Sequence, residues 1–209
     1  RVEHFMMKRA DAIIAVSDSI GDFIARENKV RKPFIIRNVH NLANAGKSNE
    51  IKKRIGIMDD KRKTILYQGG LSRGRGLENL VLSMQWVDNA VLLILGDGVI
   101  KEELRNLSAK HKVDKKVLFI GAVPPEQVLS YTCLADIGVH PIENTNLNHY
   151  YCLPNKLFEY LMAGLPVAVS DFPEMARIVN GYRVGKVFDP ARPRDISDTV
   201  NSLLNNPDK

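Results

Sequence analysis

Cysteine is scarce. Only two occur in 209 residues, Cys133 and Cys152, too few for a disulfide framework. No Cys/His cluster has zinc spacing. A reducing, cytoplasmic setting is the default. Long apolar runs are also missing. None approaches the ~18 residues that a membrane-spanning helix needs. The opening Arg1-Val2-Glu3-His4-Phe5 lacks the apolar core of a signal peptide. The basic runs Lys52-Lys53-Arg54 and Lys61-Arg62-Lys63 lack the interleaved aromatics of a single-strand nucleic-acid platform, so nucleic acid is not an expected partner. There is no P-loop, and no Ser/His/Asp or Cys/His arrangement that argues nucleophilic catalysis.

What is in excess is positive charge, +6 net with a pI of about 9.3. A solvated basic surface explains this as well as attraction to anions does. Among the anionic partners, the inner face of the plasma membrane is preferred, as a peripheral contact. The rest of the composition is that of a globular protein, with 44% hydrophobic and 26% charged residues.

The order of segments is regular. Short strands are predicted over Ala12–Val16 and Pro33–Ile36, with a helix capped by Ser17 or Asp18 between them. Asn41–Asn49 is small and polar and reads as a linker. Ser48 caps a short helix through about Ile55. From Lys63 onward, apolar strands alternate with amphipathic helices. Strands are expected over Thr64–Gln68, Val91–Leu95, Val117–Ile120, Ala135–Val139, Val167–Val169 and Val184–Val187. Helices are expected over about Leu77–Trp86, Val99–His111, Pro125–Cys133, Pro154–Met162, Phe172–Asn180 and Pro193–Leu204. This is the pattern of α/β units, a Rossmann-like parallel sheet with helices on both faces. Ligands of such sheets bind beyond the carboxyl ends of the strands.

Four of those ends carry unusual chemistry. Gly69-Gly70-Leu71-Ser72-Arg73-Gly74-Arg75-Gly76 lies between a strand and a helix. Its glycines allow close backbone approach, and its two arginines offer charge-assisted donors, which suits a diphosphate. A flexible turn with solvated arginines is the competing reading. Gly96-Asp97-Gly98 is a tight turn in which Asp97 is a candidate helix cap. Gly121–Pro125 is a third turn. The stretch His140–Tyr151 holds His140, Glu143, Asn144, Asn146, Asn148 and His149, a hydrogen-bonding set that suits a sugar and equally an ordinary polar loop. The following helix holds an anomaly. Glu159 sits between Phe158 and Tyr160 on an apolar helix, so its carboxylate is either solvated or paired to something specific.

Several segments together resemble one family. They are A-D-A-I-I-A-V-S-D-S-I (10–20), Y-Q-G-G-L-S-R-G-R-G-L-E-N-L (67–80), L-L-I-L-G-D-G (92–98), F-I-G-A-V-P (119–124), L-A-D-I-G-V-H-P (134–141) and P-N-K-L-F-E-Y-L-M-A-G-L-P-V (154–167). In order and spacing they resemble the retaining glycosyltransferases of the GT-B fold, of the group 1 or family 4 type. The resemblance places residues 1–45 as the tail of an N-terminal acceptor domain with the interdomain crossing. It makes 46–209 the nucleotide-sugar donor-binding domain. Both ends of the chain then look cut from something longer, and the chain alone is expected to have little or no transferase activity.

The resemblance implies roles residue by residue. Arg75-Gly76 matches a Lys-Gly pair whose cation holds the donor's diphosphate. The family's arginine position holds Gly70 instead, and Arg73 is a possible substitute. Glu159 matches the carboxylate that grips the ribose diol. Eight residues earlier, Tyr151 stands where a second glutamate is usual, and Pro154 replaces a glycine N–H. Asn155 and Lys156 could compensate, with Lys156 neutralising the leaving phosphate. Gly121-Ala122-Val123 matches a turn whose backbone reads the base. The implied site thus has Arg75 and Lys156 as its catalytic cations. The donor is bound by Gly69, Gly70, Arg73, Gly96, Asp97, Ala122, Val123, Tyr151, Leu153, Asn155 and Glu159. The implied ligand is a UDP- or GDP-linked sugar, with no further cofactor and no metal, because cationic side chains take the metal's charge-neutralising place. The acceptor is a sugar or lipid-linked sugar of bacterial polysaccharide, lipopolysaccharide or capsule. A non-hydrolysing nucleotide-sugar epimerase and a non-catalytic nucleotide-binding module are the alternatives.

Overall fold

A computed structural model describes residues 2–39, 46–57 and 61–205. Residues 41–45 of the expected linker, and with them the expected domain boundary after residue 45, lie outside the described residues.

The amino-terminal part is small. Helix α1 (Val2–Met7), strand β1 (Ile14–Ala15), helix α2 (Asp18–Asn28) and strand β2 (Phe34–Ile35) form it, with β1 and β2 paired in parallel. Helix α3 (Asn49–Arg54) follows, capped by the Ser48 hydroxyl, which accepts from the Ile51 N–H at 3.3 Å. The remaining elements alternate. They are β3 (Lys63–Gln68), α4 (Leu77–Ser83), β4 (Ala90–Leu95), α5 (Lys101–Lys110), β5 (Val117–Gly121), α6 (Pro125–Thr132) and β6 (Ile137–His140). After them come α7 (Leu147–Tyr150), α8 (Asn155–Met162), β7 (Val167–Ser170), α9 (Pro173–Tyr182), β8 (Gly185–Phe188) and α10 (Pro193–Asn205).

Strands β3 to β8 make one parallel six-stranded sheet in the order β5-β4-β3-β6-β7-β8. Side-chain alternation divides its residues between two cores. Ile65, Tyr67, Leu92, Ile94, Ile137 and Val139 pack with α4, α5 and α10 on one face. Leu66, Val91, Leu93, Val167 and Val169 pack with α8 and α9 on the other. Strand β4 is buried along its whole length, which explains why its sequence is an unbroken apolar run.

The strand order reverses between β3 and β6. There the ladder is brief, with Ile65 opposite Ile137 and Leu66 opposite Gly138. Beyond it, the buried Tyr160 of α8 reaches between the strands. Its hydroxyl accepts from the Gln68 N–H at 3.1 Å and donates to the Val139 carbonyl at 3.2 Å. The Tyr160 ring lies flat on Gly138, where a Cβ would come within 2.3 Å of it.

The two parts of the chain meet at α2 and α9. Ser17 precedes α2 but makes no side-chain cap. The first turn is instead capped from α9, where the buried Glu174 carboxylate accepts from the Ser19 N–H at 2.7 Å. Arg177 binds the other Glu174 oxygen at 2.7 Å and Asp18 at 3.3 Å.

Three local expectations need correction. Pro154 is the residue before α8, extended at ψ 140°, and the first helical residue is Asn155. Asp97 does not cap α5, which starts after Ile100; its carboxylate accepts from Gly98 N–H at 2.8 Å and from Lys101 at 2.9 Å. The loop expected after β6 contains α7, capped by the Asn146 side chain, which accepts from His149 N–H at 2.9 Å.

The Tyr160–Gly138 contact predicts its own test. Gly138→Ala is expected to lower the unfolding free energy by about 1–3 kcal/mol through overpacking, measured by urea denaturation. In a Tyr160→Ala background the same change should cost far less. An equal loss in both backgrounds would rule the contact out as the cause.

Candidate nucleotide-binding site

The site forms where the sheet parts. Gln68 ends β3 and is buried. The Thr132 hydroxyl of α6 donates to Gln68 Oε1 at 2.7 Å, and Gln68 Nε2 donates to Glu159 Oε2. Thr132 and Gln68 are themselves almost fully enclosed. A two-step relay therefore orients the Glu159 carboxylate from inside the protein. This answers the anomaly on α8: Glu159 is half-buried at the cavity rim, and an amide holds its carboxylate there.

Glycine-rich turns build the opposite wall. The Gly69 N–H donates to Leu95 O at 2.9 Å, and the Leu71 N–H to Asp97 O at 2.9 Å. Gly96 has φ +145°, and a Cβ there would fall 2.0 Å from the Gly69 carbonyl oxygen. Only glycine permits that approach. At the far end of the loop, Gly76 has φ +70°, and a Cβ would meet the Pro141 carbonyl oxygen at 1.7 Å. Residues 69–76 are thus wedged between two neighbouring strand ends, rather than forming a loose turn.

These walls enclose a cavity of about 550 Å³. Gly69, Gly70, Gly96 and Asp97 line one side, Ala122 and Val123 another, and Asn155, Lys156 and Glu159 the third. Nine of the sequence-derived positions therefore converge. Gln68, Leu95 and Val128 also line it and were missed by sequence reasoning. Gln68 had a readable signal, a polar residue closing an apolar strand. Val128 had none, because an apolar residue on an amphipathic helix reads as core. A second cavity of about 600 Å³ lies in the amino-terminal part, between residues 7–13 and 29–34, and holds none of the predicted site residues.

Four predicted residues do not line the cavity. Arg73 is exposed and makes two hydrogen bonds to Glu103, at 2.8 and 3.0 Å. Tyr151 sits in an aromatic chain, 5.9 Å from Phe23 of α2 and 5.0 Å from Tyr150, which in turn contacts Phe172. Leu153 packs against the core on the α8 and α9 face. Arg75 is half-buried and acts electrostatically on Tyr67, His140, Cys152 and Lys156.

Lys156 is the chemical centre of this wall. Its Nζ sits over the Tyr67 ring, 4.2 Å from the centroid. Burial and the nearby Arg75 lower its pKa from 10.5 to about 7, against the opposing pull of Glu159. Burial raises the Tyr67 phenol to about 12 and the Cys152 thiol to about 11, so neither is ionised near neutrality. His140 is wholly enclosed, and burial followed by Lys156 and Arg75 holds it well below 6.5, as a neutral ring. Among the described residues, no group of three or more His, Cys, Asp or Glu is placed to hold a metal. Nor is any described helix long and apolar enough to cross a membrane.

A family model described as glycosyl transferases group 1 matches residues 48–209. The chain belongs to that family. Among relatives of the group 1 chain, an uncharacterized glycosyltransferase of Methanocaldococcus jannaschii is 30% identical over 73% of this chain and 38% of its own length. The α-D-kanosaminyltransferase of Streptomyces kanamyceticus is 22% identical over 99% of this chain and 54% of its own. The chain thus spans about half the length, or less, of these relatives. Solved structures share the fold. Sucrose-phosphate synthase of Thermosynechococcus elongatus has a TM-score of 0.83 at 21% identity, over 99% of this chain and 52% of that one. HepE of Anabaena, in complex with UDP and glucose, has a TM-score of 0.82 at 15% identity, over 99% and 57%.

The Lys156 environment has a measurable consequence without any ligand. The folded amine titrates near 7 and the unfolded one near 10.5, so between those values the unfolded chain holds the extra proton. Raising the pH through this window favours the folded state, and that stability is lost as pH falls through about 7. Relative to Lys156→Met, the wild type is expected to gain about 2 kcal/mol from about pH 7.5 to about pH 9, by urea unfolding. Parallel profiles for the two proteins would show that Lys156 titrates as an ordinary lysine.

Proposed function

We propose that this chain is the donor-binding half of a nucleotide-sugar-dependent glycosyltransferase that retains anomeric configuration. The observation that carries the reading is Glu159 held at the cavity rim by Gln68, with the Lys156 amine on the same helix one turn earlier. A carboxylate held at a cavity rim suits the vicinal diol of a ribose. Lys156 and Arg75 suit the diphosphate, and the backbone of Ala122 and Val123 suits the base. The UDP and UDP-glucose complexes of HepE, a fold relative, support a nucleotide sugar as ligand. The leaving nucleotide diphosphate develops negative charge at Arg75 and Lys156, which stabilise it without a metal or other cofactor. The base is uracil or guanine.

In this reading the acceptor is a sugar or lipid-linked sugar, bound by the part of the relatives that this chain does not span. The reaction belongs to bacterial polysaccharide, lipopolysaccharide or capsule synthesis. It takes place in the cytoplasm, at the inner face of the plasma membrane, where the basic surface makes a peripheral contact.

A thermal-shift panel of UDP, GDP, ADP and their sugars tests the donor site. A ligand at a hundred times its Kd should stabilise the chain by about 2.7 kcal/mol. Arg75→Ala and Glu159→Ala should each weaken binding at least roughly tenfold, the loss of one charge-assisted contact. Arg73→Ala should leave affinity within about twofold, because exposed pairs such as Arg73–Glu103 contribute little. No shift with any nucleotide would remove the proposal. Equal losses for Arg73 and Arg75 would move the diphosphate clamp to the other end of the loop.

A further inference from the structure

The diphosphate end of the cavity holds more basic groups than acidic ones. Lys156 is met by Tyr67 from β3, Arg75 from the glycine-rich loop, His140 from the end of β6, Cys152 from the turn before α8, and Glu159 from its own helix. His149 of α7 also acts electrostatically on His140. Glu159 is the one carboxylate in this set, and its Oε2 accepts from the Gln68 amide. The Tyr67 ring covers the amine from below at 4.2 Å. A methyl group on Gly69 would come within 2.7 Å of Lys156 Nζ, so the amine lies directly under the cavity wall. Behind it, His140 is 0% exposed, and neither ring nitrogen has a hydrogen-bond partner. An imidazolium buried this way among cations would be costly, so the ring is neutral.

We propose that binding of a nucleoside diphosphate at this site is coupled to uptake of one proton by Lys156, with His140 remaining neutral behind it. The inference rests on the donor-site reading above. In the free site the Lys156 amine is largely unprotonated at mildly alkaline pH, since burial and Arg75 disfavour the ammonium. The diphosphate brings the negative charge that the pocket lacks. Lys156 –NH2 then takes a proton from solvent and becomes –NH3+, giving its hydrogens to phosphate oxygens over the Tyr67 face. When the diphosphate leaves, the same proton returns to solvent. The proton does not go to His140, because that ring is sealed from the cavity and the charged groups acting on it among the described residues are Lys156, Arg75 and His149. Binding and release of the diphosphate are thereby tied to pH through one side chain.

Isothermal titration calorimetry of the protein with UDP and with GDP tests this, in buffers of different ionisation enthalpy at about pH 8. The terminal phosphate, with a second pKa of about 6, is already ionised there, so the protein supplies the change. The expected result is close to one proton taken up per nucleotide, and a Kd that weakens roughly fivefold to tenfold per pH unit above neutrality. Lys156→Arg should bind with no net uptake, because an arginine stays charged throughout. His140→Gln should retain the uptake. Binding without uptake in the wild type, uptake that persists in Lys156→Arg, or uptake lost in His140→Gln would each overturn the proposal and leave the donor site standing. No binding of either nucleotide would overturn the donor-site reading, and this inference with it.

Discussion

The Tyr160 hydroxyl is the contact on which the site depends. It stands where β3 and β6 part, accepting from one strand and donating to the other. Both groups are buried main-chain groups that would otherwise lack a partner at the end of a short ladder. By satisfying them, the hydroxyl lets the sheet open without an unpaired N–H or C=O. The opening is the switch point of the strand order, the place where a doubly wound sheet can admit a ligand. The contact requires a glycine at 138, since the ring occupies the space of its Cβ.

Once α8 is anchored there, the rest of its polar face follows from helical spacing. Glu159 lies beside Tyr160 and is met by Gln68, the residue whose N–H Tyr160 already holds. One residue of β3 thus binds α8 twice, through backbone to Tyr160 and through side chain to Glu159. Lys156, one turn earlier, comes under the glycine-rich loop. The loop is rigid for a steric reason: its first glycine touches the Gly96 turn and its last the Pro141 carbonyl. A wall of backbone therefore faces a wall of charged side chains across the cavity.

Charge is arranged with the same economy. The exposed arginine of the loop, Arg73, is taken by Glu103, whereas Arg75 stays within electrostatic range of Lys156. Burial turns Lys156 from an ordinary cation into a group that titrates near neutrality. Tyr151 belongs to a different interface. Through Phe23 it joins the loop before α8 to the amino-terminal part, beside the Glu174 cap on α2. Groups that sequence spacing sets side by side thus line a cavity in one case and a packing seam in the other.

Much of the fold was legible in the chain. Unbroken apolar runs such as Ala90–Leu95 marked strands buried on both faces, and the intervening helices showed their stripes. Local boundaries shifted where tertiary contacts overrode local signals. Asp97 had the chemistry of a cap but turned to Gly98 and Lys101, and α7 formed in a loop because Asn146 caps it. Of the nine predicted positions that line the cavity, Gly69, Gly70, Gly96, Asp97 and Glu159 were legible because glycines and charged residues stand out against an apolar background, whereas Ala122, Val123, Asn155 and Lys156 came from the family resemblance. The sequence by itself determined the alternating α/β order, the glycine-rich turns and the presence of one misplaced carboxylate, since these depend on periodicity and residue type. Only the tertiary structure decided what Glu159 binds, that Arg73 points away while Arg75 faces inward, and that Lys156 is poised near neutral pH. Those outcomes depend on burial and on distances between residues far apart in the chain, which no local pattern encodes.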